Sequence, residues 1–164
     1  MRRMAGPGLR KFKGRLRQAG SPTAIRMLST LLDANAEFLA YALTKSGPLG
    51  AHAHLATPES VEACLASLLI YSVNLFARDE LAKNDGELIA LMAATLGLDR
   101  VQLMVKRDAL RKTPRSEEWM LYTWLLKDLG APKPAFDNRI EASFGYQYVG
   151  YMSQYRDTIE SLCS

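Results

Sequence analysis

Two histidines in one loop, His52 and His54, are the side chains best suited to holding a metal ion. One residue, Ala53, separates them, and they are the only histidines of the chain. Two imidazoles and a third ligand, such as Cys64 or a carboxylate, would suit a divalent cation such as zinc. No third ligand stands at a recognised spacing, and the HExxH pattern is absent. We therefore expect exposed loop histidines and predict no metal and no other cofactor.

Two pairs of adjacent carboxylates, Asp79-Glu80 and Glu117-Glu118, are the candidates for acid–base catalysis. The second pair fits the first turn of a helix, where the helix dipole favours negative charge. The first pair fits a solvated helix surface. No histidine is near either pair, and the sequence has neither a nucleophile elbow nor a phosphate-binding glycine loop. We therefore predict that the protein is not an enzyme.

The segment LRKFKGRLRQAG, residues 9–20, carries five basic residues and no acidic residue. On a helical wheel Leu9, Phe12 and Leu16 share an arc of about 60°, and Lys and Arg occupy the rest. This pattern indicates a basic amphipathic helix. Such helices bind partner proteins, membrane surfaces or targeting receptors.

Charge is divided unequally along the 164 residues. Residues 1–20 contain seven basic and no acidic residues, whereas residues 21–164 have a formal charge of −3. This asymmetry predicts a basic N-terminal arm, residues 1–20, and a helical domain, residues 21–164. The arm is expected to contact a protein partner or another copy of the chain, although an arm that is merely solvated is an alternative. The predicted partner-binding residues of the arm are Arg10, Lys11, Phe12, Lys13, Arg15 and Arg17.

The C-terminal segment contains a row of mostly aromatic residues at helical spacing. Its members follow a 4-3-4-3-4 pattern that resembles a heptad seam: Phe144, Tyr148, Tyr151, Tyr155, Thr158 and Leu162. Two interpretations stay open, because the seam could pack on the body of the protein or form an interface. Tyrosine is enriched at interfaces, since its ring buries area while its hydroxyl bonds to water or a polar partner. We therefore add Tyr148, Tyr151 and Tyr155 to the predicted partner-binding residues.

Helix start and stop signals recur along the chain, and no segment alternates with the period of a strand. Ser21-Pro22 and Thr57-Pro58 are start signals, and Gly97 and Gly130 are stop signals. Residues 63–77 are uncharged and apolar on every face, which is typical of a central helix. We predict an all-α fold, a single irregular or orthogonal bundle of about six helices around a buried helix at about residues 58–84.

The same uncharged run is too short to cross a membrane. Its 15 residues would span about 22 Å as a helix, against a hydrocarbon core of roughly 30 Å. We predict no transmembrane span, with peripheral membrane contact as an alternative. Two cysteines, Cys64 and Cys163, make no disulfide framework, which favours the cytoplasm or another reducing compartment. An arginine-rich, acid-free start makes the mitochondrial matrix the alternative.

One stretch, FARDELAKNDGELIALMAATLGLD at residues 76–99, resembles the helix pair of the bacterial tellurite-resistance-like helical family. In that family an acid precedes a turn, and a glutamate and an apolar helix ending Leu-Gly-Leu follow. The resemblance covers 24 of the 164 residues. The Asp-Gly pair of that family's acidic turn is absent, since Glu80 follows Asp79, so no site residue is carried over and membership is not assigned.

These observations favour a non-catalytic helical interaction protein, either an adaptor or a small subunit of a larger assembly. It would dock through the basic arm and through the tyrosine-rich C-terminal helix. A nucleic-acid-associated protein with the arm as an electrostatic clamp is the alternative, although a single aromatic residue, Phe12, offers no platform for base stacking. A second alternative is a small-ligand or metal-binding helical domain that uses His52 and His54 or a pocket between helices.

Overall fold

The computed structural model describes residues 2–17, 21–77, 85–111, 120–132 and 138–163. Within these ranges all regular structure is helical and there is no strand, so the predicted all-α fold is confirmed. The α-helices are α1 (Arg2–Leu16), α2 (Pro22–Ala42), α3 (Pro58–Phe76), α4 (Asp85–Leu96), α5 (Arg100–Arg111), α6 (Met120–Asp128), α7 (Asn138–Met152) and α8 (Arg156–Cys163).

The helix starts that the sequence predicts are present. The Ser21 hydroxyl accepts a hydrogen bond from the amide of Ala24 at the start of α2. Thr57 and Ser60 form a reciprocal capping box at the start of α3. At the end of α4, Gly97 has a φ of +70°, a left-handed conformation that glycine adopts without a steric penalty. These local signals fix where the helices begin and end.

Helix α3 lies at the centre of the bundle. It contacts α1, α2, α5, α6 and α8, and its residues are buried around nearly its whole circumference. It is also long and apolar enough to cross a membrane, but 67% of its most apolar 18-residue window is buried inside the protein. That burial is typical of a core helix. The predicted central helix reaches residue 84, whereas α3 ends at Phe76 and residues 78–84 lie outside the described residues.

The described part of the predicted arm belongs to the hydrophobic core. Residues 2–16 form α1, and Ala5, Phe12 and Leu16 are 4%, 2% and 1% exposed. Helix α1 contacts α2, α3 and α4. At Gly8 it approaches α3 so closely that an added Cβ would lie 3.3 Å from Glu62 Cβ. The helical pattern that we predict is present, but its apolar face packs against the protein's own body instead of extending from it.

Two segments differ from the elements that we predict. The loop that carries His52 and His54 contains a 3-10 helix, Gly50–Leu55. The predicted tyrosine-rich C-terminal helix divides into α7 and α8, with a 3-10 turn at Ser153–Tyr155. The Ser153 hydroxyl donates to the Gly150 carbonyl at 2.8 Å. Such side-chain bonds to carbonyls compete with the helical pattern, which accounts for the break.

Candidate functional site

The predicted partner-binding residues of α1 do not share one environment. Phe12 is a core residue, so it is corrected from a partner-binding to a structural position. Arg10, Lys11 and Arg17 are exposed, and Lys13 and Arg15 are partly buried. A partner could reach only part of the predicted set.

Two lysines of α1 form ion pairs with neighbouring helices of the same chain. Lys11 Nζ is 2.9 Å from Glu62 Oε1 on α3, and Lys13 Nζ is 2.9 Å from Asp33 Oδ1 on α2. These pairs join the polar edges of α1 to two of the three helices that it contacts. Their contribution to stability is small, because exposed ion pairs are worth up to about 1 kcal/mol.

Arg15 faces the C-terminus of α4. Its Nη1 donates to the Thr95 carbonyl across a long contact of 3.5 Å, and its guanidinium lies beside Gly97. A cation at this position is favourable, because the unpaired carbonyls at a helix C-terminus carry partial negative charge. By contrast, Arg10 and Arg17 form no ion pair with any residue that the structure describes.

Tyr148 is the second predicted partner-binding residue that the structure corrects. Its side chain is fully buried, and its hydroxyl donates a hydrogen bond of 2.6 Å to Asn35 Oδ1. Asn35 Nδ2 in turn donates to Ser72 Oγ at 3.0 Å and to the Leu31 carbonyl at 2.8 Å. This network joins α2, α3 and α7 inside the core. The tyrosine is therefore a structural tie and is inaccessible to a partner.

Aromatic packing explains the rest of the C-terminal seam. Phe38 of α2 contacts the rings of Phe144, Tyr148 and Tyr151, with centroid distances of 5.1 to 5.8 Å. Tyr151 and Tyr155 are partly buried. Burial is the main cause that raises the pKa of Tyr151, and Tyr155 and Glu37 raise it further. Phe144 and Tyr148 therefore pack on the body of the protein, which is the first of the two interpretations. Tyr151 and Tyr155 keep some exposed surface.

A second polar cluster, formed by residues that the sequence analysis does not single out, lies between α3, α5 and α6. The Ser67 hydroxyl donates to Asp128 Oδ2 at 2.5 Å, and Lys106 Nζ is 3.7 Å from Asp128 Oδ1. Burial raises the pKa of Asp128, while Lys106 and the hydrogen bond from Ser67 lower it. Ser67 and Asp128 are 61 residues apart, so spacing along the chain does not reveal the cluster.

Cys64 lies close to this cluster, in an environment that disfavours a reactive thiol. It is fully buried, its Sγ contacts the Leu125 carbonyl at 3.7 Å, and burial raises the pKa of its thiol. A thiol is a nucleophile only as the thiolate, so this environment opposes reactivity. The sequence signal for these contacts is the presence of Ser67 and Ser72 within an apolar helix, because buried polar groups require partners.

Of the candidate histidines and carboxylate pairs, the structure describes only the two histidines. His52 and His54 lie on the 3-10 helix Gly50–Leu55, and His54 is exposed while His52 is partly buried. The described ranges contain no group of three His, Cys, Asp or Glu side chains that could hold a metal ion. Asp79-Glu80 and Glu117-Glu118 lie outside the described residues.

If the protein binds a small ligand, a groove between α6 and α7 is the candidate site. Its volume of about 460 Å³ falls within the usual range of ligand pockets. The residues that line it include the aromatic Tyr122 and Phe144 and the polar Arg139, Ser143 and Gln147.

Helix α5 exposes apolar side chains on the face opposite the core. Leu103 and Leu110 are fully buried, whereas Val101 and Val105 are 72% and 64% exposed. Met104 is partly buried and packs against the core. We call Val101 and Val105 the α5 outer strip. Adjacent exposed apolar residues of this kind mark interaction surfaces more often than isolated ones do.

Comparisons with protein-family models, with curated proteins and with solved structures find no significant match.

Proposed function

We propose that the chain is a non-catalytic helical interaction protein, an adaptor or a small subunit of a larger assembly, and that the α5 outer strip is the centre of its docking surface. The observation that carries this proposal is the exposure of Val101 and Val105, one turn apart and opposite the buried face of α5. We therefore no longer propose α1 as the main docking surface, because its apolar face packs against the protein's own core.

Burial of the strip would provide a modest part of a binding free energy. A fully buried valine contributes about 1.5–3 kcal/mol, so two valines that are about two-thirds exposed offer roughly 2–4 kcal/mol in total. Micromolar binding requires about 8 kcal/mol. The strip is therefore the apolar centre of a wider contact, in which polar residues around it complete the interface.

The environment of the nucleophilic side chains supports the non-catalytic part of the proposal. Cys64, Ser67 and Ser72 are all fully buried. Each donates a hydrogen bond to a neighbouring group, and the acceptors are the Leu125 carbonyl, Asp128 and the Leu69 carbonyl. A substrate would have to displace core packing to reach any of the three.

The substitution Val105→Glu tests the docking surface. It places a charge at the centre of the strip without disturbing the core, because the side chain is already mostly exposed. We expect at least a tenfold loss of the proteins that the immobilised chain retains from an extract of its source, measured by quantitative mass spectrometry. The matched control is Tyr146→Glu, which changes an equally exposed residue on α7. Equal retention by Val105→Glu and the wild type would refute the proposal.

Association with nucleic acid is the second candidate, and the exposed cations of α1 favour it. Arg10 and Arg17 are exposed and bind no acidic residue within the described ranges, and Lys11 is 50% exposed although it contacts Glu62. These three cations lie along the outward face of α1. They provide a small electrostatic contact to phosphates and no stacking surface.

A salt titration tests this second candidate. Contacts from three cations predict that the logarithm of the binding constant falls with the logarithm of salt concentration with a slope of about −2 to −3. The double variant Arg10→Ala/Arg17→Ala should reduce the slope by about two. Absence of binding to DNA and to RNA at about 50 mM salt would exclude it.

A further inference from the structure

The exposed face of α2 carries a carboxylate that the chain's own described cations do not bind. Glu37 is exposed and forms no ion pair within the ranges that the structure describes. Asp33, one turn earlier on the same face, is held by Lys13 at 2.9 Å. The hydroxyl of Tyr151 on α7 interacts with Glu37 but brings no positive charge. Glu37 is therefore open to a cation from outside the chain.

Tyrosine rings flank this carboxylate on two helices. Tyr41 lies one turn beyond Glu37 on α2 and is 48% exposed, and side chains at this spacing are neighbours, with Cβ atoms about 5–6 Å apart. The buried Phe38 packs against Tyr41 and against Tyr151, with centroid distances of 6.2 and 5.5 Å. Tyr155 extends the row, with its ring centroid 6.1 Å from that of Tyr151. We call Glu37, Tyr41, Tyr151 and Tyr155 the Glu37 site.

The rings of the Glu37 site carry no cation of the same chain, as far as the structure describes it. The cation–π contacts of the described residues are those of Lys127 with Trp124 and of Arg156 with Phe76. A carboxylate beside exposed aromatic rings matches a guanidinium, whose planar fork binds a carboxylate through two hydrogen bonds and whose face stacks on a ring. The compact and strongly hydrated ammonium of lysine lacks the fork and the flat face. The surface therefore suits arginine better than lysine.

A groove borders Glu37 on the side away from the rings. It lies between α1 and α2, and small apolar residues such as Ala40, which is on the opposite side of Glu37 from Tyr41 around the helix axis, form most of its lining. At about 290 Å³ it is at the lower limit of small-molecule pockets, which suits one side chain of a protein. Arg10 lies over its α1 edge, with Nη1 3.2 Å from the position of an added Cβ on Gly6.

We propose that the Glu37 site binds an arginine side chain that a partner protein presents. The guanidinium pairs with the Glu37 carboxylate and stacks on the ring of Tyr41, and the groove takes a small apolar side chain that adjoins the arginine in the partner. The proposal gives a role to Tyr151 and Tyr155, which keep exposed surface beside Glu37. The site lies on other helices than the α5 outer strip, so this inference goes beyond the proposed function and can fail without affecting it.

The affinity for one arginine should be low. The ion pair and the cation–π contact are both at the surface, where each is individually weak. A single arginine residue should therefore bind with a dissociation constant on the order of 10 mM, and a protein partner gains affinity from the rest of its interface. Binding should weaken as ionic strength rises, because the pair is exposed to solvent.

A titration of the full chain with N-acetyl-arginine N-methylamide, whose ends are uncharged like those of a residue within a chain, provides the test. NMR signals of Glu37, Tyr41 and Tyr151 should shift and saturate. Glu37→Gln and Tyr41→Leu should each weaken binding by about threefold or more, since each removes one of the two contacts. Both residues are exposed, so the variants should stay folded. The matched control is Glu87→Gln, which neutralises an exposed carboxylate on α4 and should bind like the wild type.

Two further ligands complete the test. The corresponding norleucine derivative should cause no saturable shift at these residues, because it is uncharged, and the lysine derivative should bind about threefold more weakly than the arginine derivative or worse. The inference is overturned if the arginine derivative causes no shift at Glu37 and Tyr41 up to about 100 mM, where a site of the expected affinity would be nearly full. Unchanged binding by Glu37→Gln, or equal binding of the lysine derivative, also overturns it.

Discussion

At the scale of single residues, three polar groups of the core connect helices that are distant in the chain. Asn35, Ser72 and Tyr148 come from three helices, all are buried, and each has a hydrogen-bond partner. A buried polar group without a partner is costly, so the three are mutually dependent. Their role is to fix the relative positions of α2, α3 and α7.

The substitution Tyr148→Phe tests this role. It removes the donor to Asn35 Oδ1 and leaves that buried oxygen without the bond. We expect the free energy of unfolding to fall by about 1–3 kcal/mol, measured by urea denaturation. The control Tyr41→Phe removes a hydroxyl from a residue that is 48% exposed and should change little. Equal effects of the two substitutions would count against a structural role for the network.

The cluster of Ser67, Lys106 and Asp128 predicts a pH dependence of stability. Burial raises the pKa of Asp128, so the native state binds the proton of this carboxyl group more tightly than the unfolded state does. The free energy of unfolding should therefore fall as pH rises from the ordinary Asp pKa of about 3.9 through the native pKa. This component is complete below the unfolded pKa and lost above the native one.

The variant Asp128→Asn isolates this component, because an amide at residue 128 does not titrate. Urea denaturation at several pH values should show the variant gaining stability relative to the wild type as pH rises across that range, with a constant difference above it. The amide oxygen can still accept the hydrogen bond from Ser67. A difference that is constant at every pH would contradict the assigned cause.

Residue pairs of this kind mark the limit of what the sequence predicts. Tyr148 and Asn35 are 113 residues apart, and Ser67 and Asp128 are 61 apart. A row of tyrosines at helical spacing predicts that this face of the helix is covered. Whether the body of the protein or a partner covers it depends on which other helix lies opposite. Here Phe38 occupies that position, with its ring centroid 5.1 Å from that of Tyr148.

At the scale of elements, α1 shows how charge and hydrophobic periodicity compete as signals. The spacing of Leu9, Phe12 and Leu16 correctly predicts the face of the helix that is apolar. The high density of positive charge suggests an appendage, yet Lys11 and Lys13 contact acidic residues of α2 and α3 instead. Local signals such as the Thr57 cap specify helix ends, but they do not specify which helices meet.

The substitution Phe12→Ala distinguishes a core helix from an appendage. Removal of a fully packed phenylalanine costs about 3–5 kcal/mol, because both transfer free energy and cavity terms are lost. We expect thermal and urea denaturation to show a loss of this size. Arg10→Ala on the exposed face should remain within about 0.5 kcal/mol of the wild type. A neutral Phe12→Ala would restore the interpretation of α1 as a separable arm.

At the scale of the whole molecule, the function that we propose belongs to the surface and not to the core. Cys64, Ser67 and Ser72 are buried and donate hydrogen bonds to groups inside the protein. Helix α1 packs on α2, α3 and α4. Among the residues that the structure describes, the surfaces that we propose for a partner are the outward face of α5, the Glu37 site for an arginine side chain and, for an anionic partner, the exposed cations of α1. Sequence patterns predicted an interaction protein, but the surface could not be predicted, because it depends on which apolar residues the packing leaves exposed.

The central claim is that the basic N-terminal segment is a structural helix, so that the docking surface lies elsewhere. Native-state hydrogen exchange of the full chain tests it directly, since core helices open only with large free energies and appendages exchange freely. We predict that amides around Phe12 and Leu16 in α1 are protected to nearly the same degree as those around Leu68 in α3. Exchange of these α1 amides at the rate of an unfolded segment, with α3 still protected, would contradict the account.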